Sequence, residues 1–192
     1  MLLDYRHKYI SMQRRHFLLA LSSTLVMLAT RSFAGLASIG VRVSIVLFSD
    51  NARAIRRATL PKVHKDSEWR KTLSPLAYRV TREKGTEEPY SIPGFDRHES
   101  GLYRCICCGN ALFDANTKYD SHTGWPSFWQ PIAPENVHEV NDNQFGMNRT
   151  EVQCALCDAH LGHVFDDGPK PTGLRYCMNT VAMRFVRTPK KP

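Results

Sequence analysis

Apolar positions along this chain change their spacing twice. From Phe17 to Thr30 they form an almost unbroken stretch, preceded by Arg14-Arg15 and followed by Arg31. From Leu73 onward they recur at Leu73, Leu76, Ala77 and Val80, the i, i+3, i+4, i+7 spacing of one helical face. Ser74-Pro75 supplies a capping hydroxyl and a proline suited to the first helical position, and Gly85 supplies a stop, so one short helix is predicted between them. After Pro89 the chain breaks into short segments rich in Tyr, Phe, Val and Thr, separated by Gly, Pro, Asn and Asp. That punctuation predicts a mainly β (α+β) domain with one or two short helices at its N-terminal side.

The first apolar stretch is shorter than the roughly 20 residues a membrane-spanning helix requires. With basic residues before it and Ser32-x-Ala34 after it, it has the three parts of an export signal. Arg14-Arg15-His16-Phe17-Leu18-Leu19 resembles a bacterial twin-arginine signal, which implies a periplasmic destination and makes Met12 a candidate start. An organelle transit peptide and an uncleaved membrane anchor extended by Val41 to Phe48 are the alternatives. The resulting division is a leader over residues 1–34, a basic spacer over 35–65, a domain over 66–188 and a tail over 189–192.

Charge sharpens that division. The net charge of +8 invites a nucleic-acid partner, but residues 1–65 hold eleven Lys/Arg against two Asp/Glu, and residues 66–192 hold fifteen against sixteen. A near-neutral domain lacks the electrostatic footprint of a phosphate-binding surface, so no nucleic-acid partner is expected and membrane contact is expected only through the leader.

All six cysteines lie in the second half of the chain. Cys105-x-x-Cys108-x-x-x-Leu112 and Cys154-x-x-Cys157-x-x-x-Leu161 echo each other, as though one knuckle were used twice. Two such pairs supply the four thiolates of a closed tetrahedral zinc site, which predicts one structural Zn2+ stapling distant parts of a small β domain. Two redox motifs or four buried free thiols are the competing explanation.

Cys177 stands apart in Arg175-Tyr176-Cys177-Met178-Asn179, where an extended chain puts Arg175, Cys177 and Asn179 on one face. A guanidinium near a thiol favours the nucleophilic thiolate, and an amide can orient a substrate oxygen. A small buried apolar cysteine is the plainer alternative. His160-Leu161-Gly162-His163 follows directly on the second knuckle, giving two imidazoles suited to proton transfer, although extra ligation or polar packing explains them equally well. Gly124-Trp125-Pro126-Ser127-Phe128-Trp129 reads as a stiff aromatic turn able to grip an apolar group, with core packing the alternative for Phe128 and Trp129.

Taken together, Tyr103-Arg104-Cys105 through Phe113, Gly124 through Phe128, His160 through Phe165, Asp167-Gly168-Pro169 and Gly173 through Asn179 resemble methionine sulfoxide reductase B. The resemblance implies a rolled antiparallel β domain with a tetracysteine zinc at Cys105, Cys108, Cys154 and Cys157. It implies thiol-dependent reduction of methionine-R-sulfoxide in oxidised proteins and peptides, a repair reaction of oxidative stress, with Cys177 as nucleophile and a cysteine sulfenic acid intermediate. By position in the motifs, Trp125 receives the substrate methyl group, His160, His163 and Asn179 surround the sulfoxide oxygen, and Arg175 and Asp167 support them. Many family members carry a second cysteine immediately before Gly-Trp-Pro, where this chain has Thr123. The expected reductant is therefore external, thioredoxin, glutaredoxin or another thiol, in preference to Cys107, and the protein is expected to act as a monomer. A zinc-knuckle binding module and a zinc hydrolase are the rival functions.

Overall fold

The computed structural model describes residues 40–188. The leader expected over residues 1–34 lies outside them, and among the described residues no helix is long and apolar enough to cross a membrane.

Helix α2, Pro75–Glu83, begins as its sequence calls for, with Ser74 Oγ accepting from the Ala77 amide at 3.1 Å, but the left-handed residue that closes it is Lys84, at φ 55°, one position before the expected Gly85. Its Ala77 and Val80 face the core. A further helix, α1 (Asp66–Thr72), precedes it and inserts Trp69.

The remaining elements are antiparallel strands in three sheets. β3 (Gly101–Cys105) is flanked by β4 (Ala111–Asp114) and β11 (Met183–Arg187). A six-stranded sheet runs β5 (Lys118–Tyr119), β6 (Ser127–Phe128), β10 (Arg175–Met178), β9 (His160–Phe165), β8 (Arg149–Cys154) and β7 (Val137–Asp142), in that spatial order. Between the two sheets Phe113 stacks on Phe128 at 4.4 Å, and Tyr103 and Tyr176 close on the same pair at 4.9 and 5.8 Å. Phe128 is completely buried, so of its two readings core packing holds.

The stretch read as a spacer folds, from Arg42 to Pro61, into an antiparallel hairpin of β1 (Arg42–Phe48) and β2 (Ala54–Pro61). Arg42 does interrupt the apolar run, but the run of Val43, Ile45 and Leu47 alternates with period two, and Ile45 is buried in the core. The open edge of β1 is held at Val46 by one side chain. Asn136, fully buried, accepts from the Val46 amide at 2.8 Å and donates to the carbonyls of Val46 and Ala111 at 2.9 and 2.8 Å. Arg104 reaches the far end of the hairpin, donating to the Phe48 carbonyl and to Asp50.

Asn136→Ala would leave backbone groups of Val46 and Ala111 without partners, at a cost of about 3 kcal/mol. We expect urea unfolding to shift by that amount and amide exchange to accelerate across residues 42–61, with the six-stranded sheet retaining its protection.

Candidate active site and metal centre

The two cysteine knuckles are the same structure built twice. The Gly109 amide donates to the Cys105 carbonyl and the Asp158 amide to the Cys154 carbonyl, both at 2.9 Å. Gly109 and Asp158 each adopt positive φ, 77° and 54°, which turns the chain back so that Cys105 N pairs with Asn110 and Cys154 N with Ala159. The turns face each other across the interface of the two larger sheets. The sulfurs of Cys105, Cys108, Cys154 and Cys157 all lie within 4.8 Å of one another, with Cys105 to Cys157 at 3.7 Å and Cys108 to Cys154 at 3.6 Å. A tetrahedral four-thiolate site with metal–sulfur bonds of roughly 2.3 Å has edges of roughly 3.8 Å, so the four sulfurs fit a metal ion. Asn110 Nδ2, 3.6 Å from Cys154 Sγ, adds a donor to one thiolate.

The second knuckle leads straight into β9, and β9 carries His160 and His163 to the middle of the six-stranded sheet. There β10 lies between β9 and β6, with Cys177 opposite His163 on one side and Ser127 on the other. Directly opposed residues of an antiparallel pair share a face. The thiol is therefore flanked by an imidazole and a hydroxyl. Thr123 Oγ1 stands 3.9 Å from Cys177 Sγ, and Ser121 bridges Thr123 and Ser127 at 2.8 and 2.7 Å. At Gly162, a Cβ would fall 2.1 Å from the Cys177 carbonyl oxygen, so only glycine allows β9 to approach β10 this closely.

Cys177 is half-buried and lines a cleft of about 140 Å3 together with Trp125, His163, Phe165, Arg149 and Asn179. Trp125 is anchored through Nε1 to the Glu87 carbonyl at 3.1 Å. Asn179 also borders the cleft, but its amide is engaged: Oδ1 accepts from Glu87 N and Nδ2 donates to the Leu161 carbonyl, both at 3.0 Å. His160 is brought close but not onto the cleft. Its ring is buried 5.4 Å from that of His163, its Nδ1 is 2.7 Å from Glu151, and its Nε2 is enclosed without a partner. Arg175 and Asp167 form a two-pronged ion pair at 2.7 and 2.8 Å beside the cleft.

The electrostatics differ from the simple expectation of an Arg-stabilised thiolate. Burial pushes the Cys177 thiol above its ordinary value, and Thr123, Arg175 and Ser127 only partly offset it. Burial is the largest of these effects, and Arg175, although paired with Asp167, still pulls toward the thiolate without overcoming it. Burial likewise lowers His163, against the opposing pull of Asp142. Asp142, held down at about 2 chiefly by its hydrogen bond with His163, is an ionised acceptor 2.8 Å from Nε2. That fixes the neutral tautomer with the proton on Nε2 and a free lone pair on Nδ1. Burial acts to raise Glu151, but its bonds with His160 and Lys84 outweigh this and hold it at about 2.

Glu87, Asp142 and Glu151 are absent from the sequence-level set of site residues. Glu87 is buried and accepts from the amides of Thr180 and Val181, which fixes the turn after β10. Asp142 sits between Asn141 and Asn143 with nothing local to distinguish it. Glu151, beside Val152 in β8, is buried where its charge would suggest a solvated side chain, and only the structure reveals it.

The SelR domain family matches residues 73–187, which contain both knuckles, the aromatic turn and the β10 strand with Cys177. The chain belongs to the SelR domain family. Its relatives include the peptide methionine sulfoxide reductase MsrB of Hahella chejuensis, 54% identical over 127 residues that make up 66% of this chain and 91% of the relative. The MsrB of Thioalkalivibrio sulfidiphilus is 55% identical over 120 residues, 62% of this chain and 88% of the relative. That of Pseudomonas putida is 55% identical over 125 residues, 65% and 95%. The SelR domain spans the α2 helix, both larger sheets and the cleft, and it begins after the β1–β2 hairpin.

Cys108→Ser removes one of the four sulfurs. The expected outcome is loss of bound metal by elemental analysis, together with a fall in unfolding free energy on the order of several kcal/mol.

Proposed function

We propose that this chain reduces methionine-R-sulfoxide in proteins and peptides to methionine, with Cys177 as the nucleophile. One observation carries the reading: a half-buried thiol shares a small cleft with an indole and lies directly across a strand pair from a neutral imidazole. An apolar wall, a proton carrier and a thiol are what deoxygenation of a small polar group on an apolar side chain requires.

The substrate's S-methyl group packs against Trp125. His163 Nδ1 takes the Cys177 proton and passes it to the sulfoxide oxygen as the sulfur of Cys177 attacks the substrate sulfur. The oxygen is transferred to Cys177 as a sulfenic acid and methionine is released. Asn179 and Arg149 border the space for the oxygen, while the Asp167–Arg175 pair holds β10 and His160 with Glu151 backs His163. Two external thiols, or one dithiol such as thioredoxin or glutaredoxin, then return Cys177 to the thiol and form a disulfide and water. An external donor is favoured over Cys107, whose neighbours Trp69, Thr81 and Arg82 do not border the cleft.

The tetracysteine site holds zinc in this reading, through Cys105, Cys108, Cys154 and Cys157, and four thiolates leave it no open position for a water. Its contribution is to fix the second knuckle and hence β9. The protein acts as a monomer, and residues 12–34 direct it to the periplasm, a destination supported by the twin-arginine-like string.

Cys177→Ser should fold and keep its zinc yet lose turnover of the R-sulfoxide with dithiothreitol, and the wild type should leave the S-sulfoxide unchanged. Retained turnover in the variant would rule out the nucleophile. The reacting pair, neutral His163 with protonated Cys177, also sets a pH window. Single-turnover methionine release should hold a plateau between the lowered His163 value, below 6.5, and the raised Cys177 value, above 9.0. It should fall on the acid side as His163 takes up a proton, and on the alkaline side as the thiol loses its own. A profile set by a thiolate already formed below about pH 7 contradicts the pair.

A further inference from the structure

Trp125 borders a second cavity, of about 260 Å3, that the proposed reaction leaves unused. Two chain segments meet around it. Tyr90 donates through its hydroxyl to the His122 carbonyl at 2.6 Å and through its amide to the Gly124 carbonyl at 2.9 Å. Tyr90, His122 and Gly124 all adopt left-handed backbone, at φ 61°, 55° and 86°, and a Cβ on Gly124 would strike Pro89 and Tyr90 at 2.7 to 2.8 Å. Left-handed backbone at a tyrosine and a histidine is costly and persists where the surroundings impose it, a pattern that gathers at binding sites.

The lining has a definite chemistry. Tyr90 remains 59% exposed although it packs edge-on against Phe95 at 5.4 Å, so an aromatic surface is presented to solvent. Asp96 and Asp120 are exposed at the same cavity and Lys118 is half-buried between their influences. With the lining imidazoles His98 and His122 neutral, the latter 3.2 Å from Asp120, two carboxylates against one ammonium leave one negative charge in excess.

We propose that this cavity is a substrate subsite that receives a lysine or arginine side chain flanking the methionine sulfoxide. The inference rests on the reading of the Cys177 cleft as the sulfoxide site. A peptide-bound methionine sulfoxide carries neighbouring side chains, and in an extended chain the residue two positions away shares its face at about 6.6 Å along the axis. With Trp125 common to both cavities, a neighbour of the bound residue falls beside the second one. A cation there balances the excess carboxylate and meets the aromatic surface of Tyr90 and Phe95, whereas a glutamate would meet two like charges.

The test compares peptides holding one methionine-R-sulfoxide, with Lys, Arg, Ala or Glu two positions before or after it, against N-acetyl-methionine-R-sulfoxide amide, which has no neighbouring side chain. At low salt, kcat/KM for the best basic peptide should exceed that for its Glu counterpart by about 5-fold, and the ratio should shrink as salt is added. The doubly substituted Asp96→Asn, Asp120→Asn protein should bring that ratio close to one while turning over the blocked residue as the unsubstituted protein does. Lys118→Gln should widen it. Equal kcat/KM for Lys and Glu peptides, or a preference that survives the double substitution, overturns the subsite. Failure to reduce the blocked residue at all overturns the assignment of the cleft, and the subsite with it.

Discussion

The approach of four sulfurs to one point governs the rest of this structure. Cys105 ends β3, in the three-stranded sheet, and Cys154 ends β8, in the six-stranded one, so the cluster pins the two sheets together. Closing a loop of this length costs chain entropy, and metal–thiolate bonds are strong enough to offset it. The consequence for the site is positional. β9 starts three residues after Cys157, so the imidazole opposite Cys177 stands on a strand whose origin is clamped.

Around that fixed strand, the site is shaped by which charges are already occupied. Arg175, though paired with Asp167, draws Cys177 toward the thiolate, but burial prevails. Asp142 selects one tautomer of His163 without keeping it charged, because burial opposes the charge. The result is a protonated thiol beside a neutral base, a pair that needs the substrate's oxygen to complete the proton's path. A preformed ion pair would instead leave the thiolate open to any oxidant that entered the cleft.

Much of the site was legible because its parts are encoded over short distances. The Cys-x-x-Cys pairs, the capped helix after Ser74 and the glycine-rich aromatic turn are local patterns whose physics does not depend on the rest of the chain. The hairpin over Arg42–Pro61 was misread as a spacer for the opposite reason. Its basic residues look like a solvated linker, and its reason for folding, the Asn136 bracket and the burial of Ile45, comes from residues about ninety positions away.

By itself, then, the sequence determined the doubled Cys-x-x-Cys pattern and a mainly antiparallel β architecture, both of which follow from residue type and spacing. Spacing alone left Cys177 and His163 open to plain packing, and they were singled out, with Trp125, by the resemblance to methionine sulfoxide reductase B. Only the tertiary structure decided that Asp142 and Glu151 partner the two histidines, that Asn179 has its amide committed to Leu161 and Glu87, and that His160 stands behind the cleft instead of on it. These depend on register between strands and on burial, and neither a pairing partner nor the loss of surrounding water is written in the neighbours of a residue along the chain.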